Sequence, residues 1–320
     1  MRTVAGALLG ATVLVAVGGF YVHSCYSIHS YYRLGHRGRS LASRLKSILK
    51  RASRQDPFSS IDCGRPTPRL SSRIVGGRDA VAGDWPWVVL LGTGPPDDPR
   101  WFCGGTLIAP SVVLTAAHCV VSHSAEKLLV RLGEHDLTRD DDGRHETVPV
   151  ATVEVHPLYR GPHNDIALLL LREPVVLRRR VRPACLPPPG AVFVGVEATV
   201  TGWGQLEYHG ETPPVLQQAT LRVIPAKDCE KAFRKLERFR DGFRRTSKVC
   251  AESAGSEPRD ACTGDSGGPL VARGADGRYR VIGVVSGGEG CASPNRPGVY
   301  TRVSKYVRWI DMTVRHMLQV

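Results

Sequence analysis

DACTGDSGGP, residues 260–269, is the most informative stretch of the chain. Its serine, Ser266, has glycine at positions 264, 267 and 268. Glycines permit a tight turn without obstructing side chains, and such a turn can aim backbone N–H groups at a developing negative charge. The pattern favours a nucleophilic serine beside an oxyanion-binding turn. The alternative is a glycine-rich turn that contains an incidental serine.

Two further motifs supply the groups that a reactive serine needs. LTAAHC places His118 beside Cys119, and HNDIAL places Asp165 at the start of an apolar run. A histidine beside a cysteine is by itself more often structural than catalytic. Together, however, the three motifs provide a nucleophile, a base and an orienting carboxylate, in the chain order His, Asp, Ser.

Short apolar runs separated by Gly- and Pro-rich turns dominate the chain after residue 73, and this pattern predicts an all-β fold. Helical periodicity returns at residues 225–233 and again at residues 303–318. The strand-like runs are residues 87–91, 112–115, 148–155, 166–171, 198–201 and 281–285.

Residues 74–320 resemble a chymotrypsin/trypsin-like serine protease domain. Besides the three motifs above, the resemblance rests on RIVGG (73–77), WPW (85–87), CGG (103–105), TGWG (201–204) and GVYTRV (298–303). It implies two six-stranded antiparallel β-barrels with a C-terminal helix and the site between the barrels. The implied domain order is a signal peptide or membrane anchor at residues 1–22, a basic pro-segment at 23–73 and the protease domain at 74–320.

The resemblance also implies a role for each site residue. Ser266 is the nucleophile, His118 is the general base and then the general acid, and Asp165 stabilises the imidazolium. The amides of Gly264 and Ser266 form the oxyanion hole, and Ser286 supports Asp165. The implied activity is serine endopeptidase activity through an acyl-enzyme.

Activation and specificity follow from the same resemblance. Cleavage between Arg73 and Ile74 converts a zymogen, and the new ammonium of Ile74 pairs with Asp265. Asp260 forms the floor of the primary specificity pocket and favours Arg or Lys before the scissile bond. The two wall positions of that pocket are glycines, Gly288 and Gly298.

One position departs from the family pattern. Family members usually carry Trp after the serine that corresponds to Ser286, and this chain carries Gly287. That Trp walls the subsites for residues upstream of the cut. We therefore expect weakened binding of extended substrates and modest activity on short peptides.

The chain has 9 cysteines, an odd number. The family pairing implies Cys103–Cys119, Cys229–Cys250 and Cys262–Cys291, with Cys63–Cys185 as a fourth bridge between the pro-segment and the domain. Spacing alone does not fix connectivity. Cys25 is left over, either near a membrane or as a spare thiol in the pro-segment.

Charge and hydropathy describe the N-terminal region. The chain of 320 residues has a net charge of +13, and residues 1–73 contribute +10 of it from 12 basic and two acidic residues. The apolar run at residues 4–22 is either a signal peptide, which we favour, or a membrane anchor. Both alternatives export the rest of the chain, so a secreted location is expected, with anchoring through residues 4–22 as the alternative.

Composition excludes several classes of protein. A hydrophobic fraction of 42% argues against global disorder. Only residues 3–32 lack charged side chains over a membrane-spanning length, which excludes a polytopic membrane protein. No nucleic-acid reader motif occurs, so nucleic acid is not an expected partner.

Acidic and basic segments raise the question of further ligands. Glu134 and Glu146 bound a stretch that resembles the family's calcium loop, although an acidic solvated loop is the alternative. The cluster Arg178, Arg179, Arg180 and Arg182 and the segment 227–248, of net charge +5, are either solvated faces or sites for a polyanion. Protein substrates and protein inhibitors are the other expected partners. A non-catalytic binding module on a protease fold is the competing interpretation.

Overall fold

A computed structural model describes residues 57–67, 78–139, 145–205, 210–233, 243–254, 264–287 and 297–319. The strands before residue 180 are β1 (Arg78–Asp79), β2 (Val88–Thr93), β3 (Arg100–Ala109), β4 (Val112–Thr115), β5 (Leu128–Leu132), β6 (Glu146–Val155) and β7 (Ala167–Leu171). The later strands are β8 (Glu197–Gly202), β9 (Gln217–Ile224), β10 (Lys248–Ser253), β11 (Pro269–Arg273), β12 (Tyr279–Gly287) and β13 (Gly298–Arg302). The helices are α1 (Ala117–Val120), α2 (Ala226–Phe233) and α3 (Val303–Met317), with 3₁₀ turns at Ala125–Lys127 and Arg245–Ser247.

The first barrel is a closed sheet of six antiparallel strands in the order β2-β3-β4-β7-β6-β5. Its strands are rich in Val and Leu, which pack well on a pleated surface. All four residues of β4 are buried, as are four of the five residues of β7. Closure leaves the barrel without exposed strand edges.

The second barrel has the ring β8-β9-β10-β13-β12-β11, closed by pairing of both β9 and β11 with β8. Strand β1 lies outside this ring and pairs with β9 at Gln217 and Gln218. The expected fold of two six-stranded barrels is therefore confirmed. The strand-like runs lie within or overlap the observed strands. Strand β12 starts earlier and ends later than its apolar run because Tyr279, Arg280 and Gly287 also pair with neighbouring strands.

The C-terminal helix α3 follows β13 directly. Its apolar positions Ile310, Val314 and Met317 are buried at spacings of four and three residues. The predicted helices are confirmed within one residue at each end. Within the described residues, no helix has the length and apolarity needed to cross a membrane, and the run at 4–22 lies outside them.

Three disulfides join these elements: Cys63–Cys185, Cys103–Cys119 and Cys229–Cys250. The first attaches the segment 57–67 to the body formed by the two barrels, here called the two-barrel body. Gly64 strengthens that attachment, since its N–H donates to Pro183 O at 2.8 Å and its carbonyl accepts from Tyr279 N at 2.8 Å. Cys262, Cys291 and Cys25 lie outside the described residues.

Candidate active site

His118 and Asp165 form a two-point contact, which we call the catalytic couple. Asp165 Oδ2 lies 2.8 Å from His118 Nδ1, and Asp165 Oδ1 accepts the backbone N–H of His118 at 2.9 Å. Asp165 is 1% exposed. The His118 side chain is 35% exposed. The contact holds one ring nitrogen of His118 against the carboxylate and leaves Nε2 for chemistry.

Local structure places the two members of the couple. His118 lies in the short helix α1, which follows β4, and the Cys103–Cys119 disulfide joins that helix to β3. Asp165 follows Asn164, which has a left-handed φ of 51°. Asparagine tolerates this conformation better than most residues.

The Asn164 side chain secures this turn. Its Nδ2 donates to Leu158 O at 2.6 Å, and its Oδ1 accepts the hydroxyl of Tyr306 at 2.9 Å. Helix α3, which carries Tyr306, thereby supports the residue before the catalytic carboxylate. No local sequence motif signals this support, because it joins residues 142 positions apart.

Ser286 contacts the Asp165 side chain of the catalytic couple. Its hydroxyl donates a hydrogen bond to Asp165 Oδ2 at 2.6 Å and accepts one from the ammonium of Lys248 at 3.3 Å. Burial raises the pKa of Asp165, but hydrogen bonds from His118 and Ser286 outweigh burial and hold that pKa below its ordinary value. Ser286 thus has the position expected of it, whereas sequence reasoning missed Lys248.

The nucleophile turn packs against the first barrel. The carbonyl of Ser266 accepts the N–H of Gly104 in β3 at 2.7 Å. Gly267 has φ +80°, and a Cβ there would collide with Thr115 Oγ1 and with Gly104 O. Because Thr115 precedes α1 by two residues, this packing brings Ser266 and His118 to the same seam.

The amides of Gly264 and Ser266 donate to no acceptor among the described residues. Gly264 has φ +102°, and a Cβ there would approach Gly204 Cα at 3.0 Å. Within the described residues, Ser266 and His118 form no hydrogen bond with each other. His118 Nε2 lies 3.7 Å from Cys119 Sγ. Such catalytic contacts often shorten only when substrate binds.

Asp265 occupies a cradle made by residues 202–204. Its Oδ1 accepts the N–H of Gly204 at 2.8 Å. A Cβ at Gly202 or at Gly204 would collide with the carboxylate of Asp265. The glycines of the TGWG motif therefore have a physical reason. Arg73 and Ile74 lie outside the described residues.

The specificity residues are described only in part. Gly298 is buried at the start of β13, opposite Ala251 of β10. Asp260 and Gly288 lie outside the described residues. Gly287 has φ +124° where the β12–β13 register shifts, a conformation that side chains other than glycine rarely adopt.

The arrangement at Glu134 and Glu146 does not fit a calcium ion. Glu134 Oε2 lies 3.2 Å from Arg131 Nη1 and 3.4 Å from His145 Nδ1. Glu146 Oε1 lies 2.9 Å from Arg178 Nη1. Both carboxylates are thus engaged by cationic side chains. Asp140, Asp141 and Asp142 lie outside the described residues.

A second grouping of metal-ligand atoms within the described ranges is Cys103, His118 and Cys119. Its two sulfur atoms share a disulfide bond, so they are not available as thiolates. This grouping is therefore explained by the disulfide beside the catalytic histidine.

Comparison with known proteins gives consistent matches. Residues 74–310 match the family model for Trypsin. The chain is 38% identical over 268 residues to serine proteinase stubble of Drosophila melanogaster, covering 79% of this chain and 33% of that protein. It is 40% identical over 261 residues to serine protease filzig of the same species, covering 78% of this chain and 15% of filzig. It is 38% identical over 245 residues to a venom protease of Bombus pensylvanicus, covering 73% of this chain and 96% of that protein. The chain thus spans a third or less of stubble and filzig but nearly all of the venom protease.

Proposed function

Because the chain belongs to the trypsin family of serine proteases, we propose that it is an endopeptidase that cleaves proteins after Arg or Lys. The observation that carries the activity is the catalytic couple, which lies at the same seam as the turn that presents Ser266. A non-catalytic binding module would have no need to bury Asp165 against a partly exposed histidine, since burying an ionised carboxylate is costly.

The proposed reaction has two halves. Ser266 Oγ attacks the scissile carbonyl while His118 Nε2 takes its proton, and the amides of Gly264 and Ser266 stabilise the oxyanion. His118 then protonates the leaving amine, which breaks the peptide bond and leaves an acyl-enzyme. In the second half, water gives its proton to His118 and attacks the ester, and Ser266 regains its proton. Asp165 stays ionised throughout.

Specificity for Arg or Lys rests on the resemblance at Asp260, Gly288 and Gly298. A carboxylate at the pocket floor pairs with a cationic side chain, and glycine walls admit a long one. Ala261 lacks a hydroxyl beside that acid, which favours Arg over Lys. The test compares kcat/KM for coumarin-amide peptides that end in Arg, Lys, Phe or Glu. We expect about 10²-fold or greater preference for the cationic pair, and Asp260→Ser should abolish it.

Gly287 should weaken binding of the substrate residues upstream of the cut. No side chain is present at this position to wall those subsites. Kinetics on Arg-coumarin peptides of one to four residues, measured for wild type and Gly287→Trp, test this. A gain for the longer peptides in the variant supports the proposal, and equal kinetics contradict it.

Zymogen activation is proposed at the bond between Arg73 and Ile74. The resemblance at residues 73–77 supports it, and Asp265, whose Oδ1 accepts the N–H of Gly204, is the carboxylate with which the freed ammonium of Ile74 would pair. N-terminal sequencing of the active form should read Ile-Val-Gly-Gly. Asp265→Asn should be cut at the same bond and remain inactive. Since Arg73 fits the proposed pocket, the test includes incubation of the purified zymogen alone.

Export is proposed from the N-terminal apolar run and from the disulfides, which persist in oxidising compartments. We favour removal of a signal peptide over anchoring through residues 4–22. Expression of the full chain in cultured cells, followed by N-terminal sequencing of protein from the medium and from membranes, distinguishes the two.

A sulfated polysaccharide is proposed as a further partner. Arg65, Arg182 and Arg278 line a cavity of about 310 Å³ between the segment 57–67 and the two-barrel body. Asp62 pairs with two of them, and the fourth charged lining residue, Asp276, pairs with Arg280. The cavity keeps an excess of positive charge, because Arg182 adds a cation beyond these pairs.

Retention on immobilised heparin tests this site. Arg182→Ala should elute at lower salt than wild type, because fewer counterions are released on binding. Arg308→Ala, which removes an exposed arginine from α3, should not change the elution salt. Equal loss in both variants would indicate only a diffuse charge effect and would contradict a defined site.

A further inference from the structure

Lys248 is a buried charge that the proposed mechanism does not use. It is 3% exposed, at the first position of β10. Lysine is almost never fully buried unless it is paired, because removing an ammonium from water is costly. Its location therefore calls for a compensating interaction.

The side chain of Lys248 reaches across a strand toward the catalytic couple. Strand β13 lies between β10 and β12, and Lys248 pairs with Thr301 of β13. Its Nζ ends 3.3 Å from the hydroxyl of Ser286 in β12. That hydroxyl lies 2.6 Å from Asp165 Oδ2. The hydroxyl of Ser286 thus connects the ammonium of Lys248 to the carboxylate of Asp165, which holds His118.

We propose that Lys248 is a positioning residue for the catalytic couple, whose ammonium directs the Ser286 hydroxyl onto Asp165 and whose charge opposes the formation of imidazolium at His118. The role deepens the proposed peptidase function and depends on it. An ammonium donates hydrogen bonds and accepts none. The oxygen of Ser286 must therefore accept from Lys248, and its single proton remains for Asp165.

The two phenols near Asp165 do not carry a charge near neutral pH. Among the described residues, the negative charge of Asp165 acts on Tyr159 and Tyr306, in addition to its contact with His118. Burial raises the pKa of Tyr159, and burial raises the pKa of Tyr306 to about 12. Both phenols are neutral at pH 7. The positive charge of Arg244 lowers the pKa of Tyr306, but burial has the larger effect.

The sign of the effect follows from electrostatics. A positive charge beside the couple favours ionised Asp165 and disfavours a second positive charge on His118. Removal of the charge at position 248 should therefore move the acidic limb of the kcat/KM profile to higher pH. With an effective dielectric constant of about 20 and allowance for the exposure of His118, the expected movement is about 0.5–1 pH unit.

The test uses three substitutions in the activated full chain. Lys248→Gln keeps a hydrogen-bond donor and loses the charge, Lys248→Met loses both, and Lys248→Arg keeps both. We expect the limb to move upward in the Gln and Met variants and to stay in place in the Arg variant. Lys231→Met removes an exposed lysine from α2 and should leave the limb unchanged.

A purely structural role predicts a different pattern. It would lower the melting temperature of Lys248→Met without moving the acidic limb of the kcat/KM profile in Lys248→Gln or Lys248→Met. This result would overturn the proposal. A limb that moves equally in Lys248→Arg would overturn it too.

A second measurement does not require activity. In a Ser266→Ala background, NMR follows the proton on His118 Nδ1 as the pH is lowered. Its transition should occur at higher pH with Lys248→Gln than with Lys248. An unchanged transition would reject the role of Lys248 even if the peptidase function were correct. An inactive wild-type enzyme with a shifted transition would instead reject the function alone.

Discussion

Asp165 accepts two hydrogen bonds from the same residue, the imidazole N–H and the backbone N–H of His118. This double contact fixes both the position of the histidine and its tautomer, since the nitrogen that faces a carboxylate carries the proton. The other ring nitrogen is then free of a proton and suited to act as a base.

Asp165→Asn should leave the fold intact and remove most of the activity. The amide keeps the shape of the carboxylate but favours the wrong tautomer and does not stabilise imidazolium, so we expect kcat to fall by about 10⁴-fold. The measurement is hydrolysis of an Arg-coumarin peptide. Asp311→Asn on α3, which loses an acid paired with Arg315, should retain wild-type kcat. Comparable losses in both variants would argue against a special role for Asp165.

Ser286→Ala should lower stability in a pH-dependent way. The hydroxyl helps to hold the pKa of the buried Asp165 below its ordinary value, so its loss should cost about 1–3 kcal/mol at pH 7. A depressed folded-state pKa contributes stability above the ordinary Asp value of about 3.9, and that contribution is lost as the pH falls below it. The gap between wild type and variant should therefore narrow at pH 3.

Denaturant unfolding at pH 7 and at pH 3 measures this gap, with Ser266→Ala in both proteins to prevent self-digestion. A gap that is the same at both pH values would show that the hydroxyl does not act through the ionisation of Asp165.

Gly267→Ala should impair both stability and activity. The substitution adds a Cβ against Thr115 Oγ1 and Gly104 O at a φ of +80°. Backbone strain and steric overlap together should cost about 2–4 kcal/mol. The displaced turn should also lower kcat/KM by at least about 10²-fold. Thermal unfolding and peptide hydrolysis measure the two effects.

Gly190→Ala is the matched control for that variant. Gly190 also has a positive φ, +74°, but a Cβ there would meet no atom within 4 Å. It should show the cost of backbone strain alone, about 1–2 kcal/mol, with normal activity. If the two variants were equally stable and equally active, the packing of the nucleophile turn against β3 and β4 would not matter.

The Cys63–Cys185 disulfide should keep the cleaved pro-segment attached. The bond joins cysteines that are 122 residues apart in sequence, and the proposed cut lies between them. After cleavage at Arg73, the protein should run as one band without reductant and as two bands with it. The Cys63→Ser, Cys185→Ser double variant should give two bands in both conditions. One intact band under reduction would mean that the cut had not occurred.

Local motifs predicted much of the site, but contacts across the fold were less accessible. His118, Asp165 and Ser266 stand in distinctive sequence contexts, and the seam between the barrels brings their surroundings together. The approach of Lys248 to Ser286 had no such signal, because it depends on the register of β10, β13 and β12. A lysine at the start of an apolar run looks the same whether its ammonium is in solvent or buried.

Strand ends and disulfides show the same limit. The apolar run at 281–285 predicted the centre of β12, but the full strand is Tyr279–Gly287 because the pairing continues through a register shift near Ser286. Cys63–Cys185 joins residues that no spacing rule connects, and only the resemblance suggested the pair. The roles of Asp260 and Gly288 in the specificity pocket remain predictions.

The central claim is that Ser266 is a nucleophile activated by His118 and Asp165, and covalent labelling tests it most directly. The full chain is cut at Arg73, and a fluorophosphonate probe is added to wild type, to Ser266→Ala and to the uncut protein. We predict stoichiometric labelling of the cut wild type at Ser266, identified by mass spectrometry, and little or no labelling of the other two. A folded, correctly cut wild-type protein that stays unlabelled would contradict the account.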